Sequence, residues 1–172
     1  MNKPGNSIVL IGFMGAGKSS VGRSLARITG LPRFDTDEMI AIRFGATIPE
    51  IFENHGENAF RVAETEALRE LRGKQGTIVV TGGGIILSPE NRQLVRELGQ
   101  VVHLSANEET LFRRISRRST RPLLRTENPR ATATALLEVR LPLYREVADV
   151  EVDTSLLTHE EVARKILELV ES

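Results

Sequence analysis

The sequence predicts an α/β fold in which a parallel sheet is covered by helices on both faces. Three observations predict it. Short β-branched runs recur along the chain: Ile8-Val9-Leu10-Ile11, Ile78-Val79-Val80, Val101-Val102 and Val150-Glu151-Val152. Helical periodicity fills the intervals between them. Glycine-rich turns directly follow two of the strands, at the strand ends where an open α/β sheet gathers its ligands.

The first strand is read at about 7–11 and the first helix at 18–29, with Val21, Leu25 and Ile28 on one face and Gly30 as its C-terminal cap. Arg33-Phe34 forms a short second strand that ends in Asp35-Thr36-Asp37. From 38 to 72 the pattern is helical. Ile40 and Phe44 lie at i, i+4, Gly45 breaks the run, Pro49 opens a short helix, and Phe60, Ala63, Ala67, Leu68 and Leu71 mark a longer one. The stretch of about 37–64 has no strand pattern and reads as a helical excursion from the sheet. The third strand, 78–80, runs into Gly82-Gly83-Gly84, and Ser88-Pro89 then caps and opens a helix. A fourth strand covers 101–104. Ser105 and Glu108 have capping-box spacing before a helix carrying Leu111, Phe112 and Ile115. Residues 117–130 are polar, interrupted by Pro122 and Pro129, and read as a mobile loop. A helix through Leu136, Val139 and Leu143, a last strand at 150–152 and a final helix behind the capping pair Thr158 and Glu161 complete the chain.

Composition narrows the function classes. A chain of 172 residues, 40% hydrophobic, suits one domain with a full core. A formal net charge of zero supplies no global field toward nucleic acid or a membrane surface. The absence of cysteine excludes disulfides and thiolate metal sites. No segment approaches the ~18 apolar residues of a membrane span. Cleavage of a signal peptide would remove the first strand, so none is expected, and the protein reads as cytoplasmic.

Residues 12–19, Gly-Phe-Met-Gly-Ala-Gly-Lys-Ser, fit G-x-x-x-x-G-K-[ST], the P-loop pattern, between a strand and a helix as that motif requires. Glycines let backbone N–H groups converge on one anion, and the following helix points its positive end at the same place. Lys18 is placed to reach the β- and γ-phosphates of a nucleotide, and the Ser19 hydroxyl to ligate Mg²⁺. Nucleotide binding follows; the acceptor of the phosphoryl group does not.

Other constellations leave more than one reading each. Asp35 and Asp37 stand at the end of the second strand, and continued strand geometry would point both to one side, with Asp35 toward the metal and Asp37 toward an acceptor hydroxyl. An Asx turn with Asp37 capping the next helix is the other reading. Gly82, Gly83 and Gly84 form either a tight turn or a nest against which a small acceptor lies. Arg113, Arg114, Arg117, Arg118, Arg121 and Arg125 form a basic cluster, read as a solvated face, a nucleic-acid patch or a lid. Arg121, beside Pro122-Leu123-Leu124, is the candidate to neutralise charge on a transferring phosphoryl group. Spacing alone does not single out Arg61 or Arg140 from the other arginines. His55, His103 and His159 show no metal spacing and receive no role; His103 lies in a strand and reads as structural.

Taken in order, these pieces resemble the shikimate kinase family. The similarity spans nearly the whole chain: the P-loop at 12–19, Asp-Thr-Asp at 35–37, Gly-Glu-Asn-Ala-Phe-Arg at 56–61, Gly-Gly-Gly at 82–84, Arg-Pro-Leu-Leu at 121–124 and Arg-Leu-Pro-Leu-Tyr at 140–144. The resemblance implies a three-layer P-loop kinase fold of the nucleoside monophosphate kinase type, with five parallel strands in the order 2-3-1-4-5. It implies one domain over 1–172, with a substrate-binding excursion at about 37–64 and a lid at about 117–130. The implied reaction moves the γ-phosphate of ATP, with Mg²⁺, to the 3-hydroxyl of shikimate, a step of aromatic amino-acid synthesis. Gly15, Ala16, Gly17, Lys18, Ser19 and Ser20 would hold the nucleotide phosphates. Arg114 would pack near the adenine and Arg121 close over the phosphates. Asp37 would hold the acceptor hydroxyls, Arg61 and Arg140 its carboxylate, and Gly82, Gly83 and Gly84 its ring, while Ser19 and Asp35 attend the metal. Lys18, Asp37 and Arg121 would carry the catalysis. The expected partners are small molecules alone, with no nucleic acid and no membrane, and the expected state is a monomer. The alternative is a small P-loop kinase for another polyol or sugar acid such as gluconate.

Overall fold

The structure is a computed structural model and describes residues 7–117 and 124–170. Its sheet has five parallel strands: β1 (Ile8–Ile11), β2 (Arg33–Asp35), β3 (Ile78–Val80), β4 (Gln100–Ser105) and β5 (Val150–Asp153). They lie in the order β2-β3-β1-β4-β5, as the resemblance implies. β1 is central, with Val9 opposite Val79 on one side and Val101 on the other. All four β1 residues are buried, which is why this strand reads as an unbroken apolar run.

Among the described residues, seven helices surround the sheet: α1 (Lys18–Thr29), α2 (Thr36–Phe44), α3 (Ile48–Leu71), α4 (Pro89–Leu98), α5 (Glu108–Ser116), α6 (Pro129–Val147) and α7 (His159–Val170). A 3₁₀ turn, Ile85–Leu87, follows β3. α1 and α7 pack on each other on one face, and α4 covers the other between α3 and α6. Gly22 lets α1 lie close on the sheet, because a Cβ there would run into the Val80 side chain of β3.

The helical excursion has its own apolar cluster. Ile40, Ile51, Phe60, Ala63 and Ala67 pack together beneath α2 and α3, apart from the main core, and Met39 touches both. Gly45 ends α2 in the left-handed conformation, and Gly56, at φ 79°, kinks α3 between the short and long helices expected from sequence.

Three details differ from expectation. The cap of α5 is Asn107, whose side chain accepts from Thr110 N; Ser105 is still in β4, because the strand runs one residue beyond the apolar pattern. α6 begins at Pro129, so the loop ends earlier than 130: proline at the first helical position starts this helix rather than breaking it. Asp37 does not continue β2 but lies in the first turn of α2. Residues 118–123, with part of the expected lid and Arg121, lie outside the described residues.

Candidate active site

The loop after β1 is shaped by backbone conformations that favour glycine. Gly12, Gly15 and Gly17 have φ of 153°, 81° and 93°. Gly17 is the N-cap of α1, and no side chain caps this helix and no acid stands in its first turn. By contrast, α2 through α6 each start behind a side-chain cap, from Asp35, Thr47, Ser88, Asn107 and Asn128 in turn. The N-terminus of α1 is thus left for an anion to satisfy. Lys18 folds back over the loop, donating to the carbonyls of Gly12 at 2.7 Å and Phe13 at 3.0 Å. Ala16 is buried; its N–H donates to the Phe13 carbonyl and its own carbonyl accepts from Thr154. Arg114 binds the Gly15 carbonyl and both the hydroxyl and the carbonyl of Thr154, so it ties the loop to the turn after β5.

Above this loop lies a cavity of about 340 Å³, lined by Gly15, Gly17, Lys18, Ser19, Ser20, Asp35, Asp37, Arg114 and neighbours. The size suits a small-molecule ligand. Asp35 divides its carboxylate. One oxygen caps α2 through Asp37 N and Glu38 N, and the other lies 3.4 Å from the Ser19 hydroxyl. The helix cap expected at Asp37 is thus supplied by Asp35, and both carboxylates line the cavity although Asp37 does not continue the strand. Burial, and then Glu38, push the Asp35 carboxyl above the usual range, more than the backbone donors and Arg33 hold it down. A divalent cation beside it would relieve that burden.

A second, smaller cavity of about 80 Å³ adjoins the first and shares Met14, Asp37, Gly82 and Gly83 with it. Arg61, Glu64, Gly84 and Arg140 complete its polar lining; Ile48, Phe52 and Phe60 give it an apolar wall. Gly82 and Gly84 are needed for space. A Cβ on Gly82 would sit 2.8 Å from Asp37 Oδ1 and 3.0 Å from Glu64 Oε1. On Gly84 it would fall inside the Arg61 guanidinium, whereas on Gly83 it would meet Met14 N at an ordinary contact distance of 3.4 Å. Arg140 is only 2% exposed, and its Nε has no hydrogen-bond partner among the described residues. Arg61 is more open and is paired with Glu64 at 2.7 Å and Glu57 at 3.2 Å.

The structure brings together Gly15, Gly17, Lys18, Ser19, Ser20, Asp35, Asp37 and Arg114 around one cavity, and Arg61, Gly82, Gly83, Gly84 and Arg140 around its neighbour; of the described sequence-selected residues only Ala16 lines neither, because it is buried within the loop. Sequence reasoning missed Glu64, which is fully buried. Burial pushes its carboxyl up to about 7 despite the opposing pull of Arg61. The signal was a lone acid within the apolar stripe of Phe60, Ala63, Ala67 and Leu68. It also missed His159, which lines the larger cavity beside Gly17.

Comparison with known proteins agrees with this geometry. The family model "Shikimate kinase" matches residues 14–171. A shikimate kinase of Thioalkalivibrio sulfidiphilus is 50% identical over 87% of this chain and 78% of its own length. The structure of an Acinetobacter baumannii shikimate kinase in complex with shikimate superposes with a TM-score of 0.92 at 43% identity, covering 98% of this chain and 93% of that one. A gluconokinase from Sinorhizobium meliloti, at 23% identity and a TM-score of 0.63 over 99% of this chain and 96% of its own, shares the fold. With the five-stranded sheet, the P-loop cavity and a family match over nearly its whole length, this chain belongs to the shikimate kinase family of ATP-using P-loop kinases.

Proposed function

We propose that this protein transfers the γ-phosphoryl group of ATP to the 3-hydroxyl of shikimate, giving shikimate 3-phosphate and ADP for aromatic amino-acid synthesis. One observation carries the acceptor assignment beyond family membership. Arg140 is a buried guanidinium with an unfilled donor, in a pocket that meets the phosphate cavity at Asp37. A buried cation of this kind is suited to a small carboxylate whose hydroxyls reach Asp37.

The division of labour follows. The uncapped start of α1 and the backbone of 15–20 hold phosphates; Lys18, released from the Gly12 and Phe13 carbonyls, neutralises charge on the bridging and γ oxygens. Arg114 braces the loop at the adenine end. Arg140 and Arg61 clamp the carboxylate, and the glycines let the ring lie against backbone. Asp37 orients the hydroxyl and takes its proton late, because a loose transition state asks mainly for positioning. Arg121 is assigned by resemblance to closing over the phosphates. The donor set fits Mg²⁺: a hydroxyl and one buried carboxylate, with no cluster of three acids or histidines among the described residues, suits an ion that keeps waters and substrate phosphates as its other ligands. Ser19 and Asp35 would hold it, and when bound it neutralises charge between the β- and γ-phosphates. The proposal includes a single domain, a monomer and a cytoplasmic location. None of the described helices is long and apolar enough to cross a membrane.

ADP release measured with shikimate, with gluconate and with no acceptor tests the reading. Release should depend on shikimate and stay at background with the other two; gluconate-dependent release would transfer the proposal to a sugar-acid kinase.

Shikimate affinity should also depend on pH. Glu64 takes up a proton near pH 7, and its neutral form leaves Arg61 and Arg140 more positive toward an incoming carboxylate. Affinity should therefore be highest below about pH 7 and fall as pH rises through it. The same raised pKa makes Glu64's share of fold stability full below its unfolded value near 4.5 and progressively lost up to about 7. Calorimetric titration of shikimate between pH 6 and 8.5 checks the first point, and in Glu64→Gln the inflection should vanish.

A further inference from the structure

Tyr144 has no role in the reading above, yet it touches the acceptor pocket from behind. It is fully buried on α6, one turn after Arg140. Its hydroxyl donates to the Gly83 carbonyl at 2.5 Å. Its ring stacks on His103 of β4, with centroids 5.0 Å apart and planes 24° from parallel. His103 in turn pairs in register with Ile11, the last residue before the P-loop. The phenol oxygen is thus a fixed point, held by packing from the centre of the sheet. The Arg140 guanidinium interacts with the same oxygen, and burial keeps the phenol protonated by pushing its pKa upward.

We infer that Tyr144 is a positioning residue for the acceptor: its hydroxyl sets the Gly83–Gly84 peptide and the Arg140 guanidinium in one frame. The inference rests on the shikimate reading. The Gly83 carbonyl and the Gly84 N–H belong to one planar trans peptide, so fixing the oxygen aims the N–H in the opposite direction. Gly83 lines both cavities, and its α-carbon faces the phosphate loop and Arg140 at contact distance. A Cβ there would stand 3.5 Å from Gly12 O and 3.6 Å from Arg140 Nη1. Without the hydroxyl, a partly buried carbonyl loses its donor and Arg140 loses a neighbour that restrains it.

Tyr144→Phe tests this, because it keeps the ring and its stack and removes only the oxygen. KM for shikimate, and Kd for shikimate by calorimetry without nucleotide, should rise about 5- to 50-fold. KM for ATP should stay within about 2-fold, because the P-loop contacts are untouched. A tyrosine that served only to fill the core would lower Tm and the active fraction while leaving KM for shikimate as in wild type, and that result overturns the inference. His103→Phe is the companion variant: it keeps an aromatic ring against Tyr144 and keeps the hydroxyl, so KM for shikimate should not move. An equal rise in both variants assigns the effect to core disturbance and also overturns it. No shikimate-dependent ADP release from the wild-type protein would overturn both readings. Wild-type turnover with an unchanged KM in Tyr144→Phe overturns this one alone.

Discussion

Asp37→Asn should lower kcat by about 10²- to 10⁴-fold, the range for loss of a positioned acid–base group. Asn keeps the size of the side chain and one acceptor oxygen, but it carries no charge to orient a hydroxyl and takes no proton. Asp37 lines both cavities, at the point where donor phosphate and acceptor hydroxyl would meet. The fold should tolerate the change. Asp37 sits in the first turn of α2, where its charge favours the helix by about 0.3–1 kcal/mol, and the cap itself is Asp35. Steady-state rates at saturating substrates, with calorimetry of ADP binding, check this. Near-normal turnover removes Asp37 from the reaction, whereas low turnover with intact ADP binding supports its role.

Arg140→Met should weaken shikimate binding by roughly 10- to 150-fold, the worth of one or two charge-assisted hydrogen bonds in a desolvated site. ATP binding should change little. The same variant should keep its Tm or gain a few degrees, because a buried guanidinium with an unfilled donor is a burden on the unliganded protein and methionine fills similar space. Arg61→Met should have the smaller effect on binding. Its guanidinium is 22% exposed and already engaged by Glu64 and Glu57, so it is partly neutralised before any ligand arrives. Thermal shift and shikimate titration of the two variants give the order, and equal losses would refute this ranking.

How far the sequence alone reaches depends on whether the chemistry is local. The phosphate loop was readable because its strand, glycines, lysine and helix are contiguous, and each has one physical reason to be there. Asp35 and Asp37 do reach the same cavity, but not by strand alternation. Asp35 turns the chain by capping α2, and the helix, not the strand, presents Asp37. Arg61 and Arg140 could be chosen only through resemblance, because what distinguishes Arg140 is its burial, which arises from the packing of α6 against the turn after β3. Glu64 was overlooked for a related reason. Whether an acid in an apolar stripe is buried with a partner or turned to solvent depends on which surface its helix packs against. The misplaced cap at Ser105 shows the limit at element ends, where several small polar residues compete and one residue of strand decides between them.

The run Gly82-Gly83-Gly84 carries a further consequence. None of the three glycines is among those with positive φ, so flexibility is not what they supply. They are a cast of other groups: 82 of two carboxylates, 83 of the phosphate loop and 84 of a guanidinium. Sequence change here is therefore coupled over long distances along the chain. A methyl at 84 displaces the Arg61 guanidinium, which must swing aside or be shortened, and one at 82 needs Asp37 to retreat. During divergence a change at either glycine therefore reshapes the acceptor pocket through its distant partner as well.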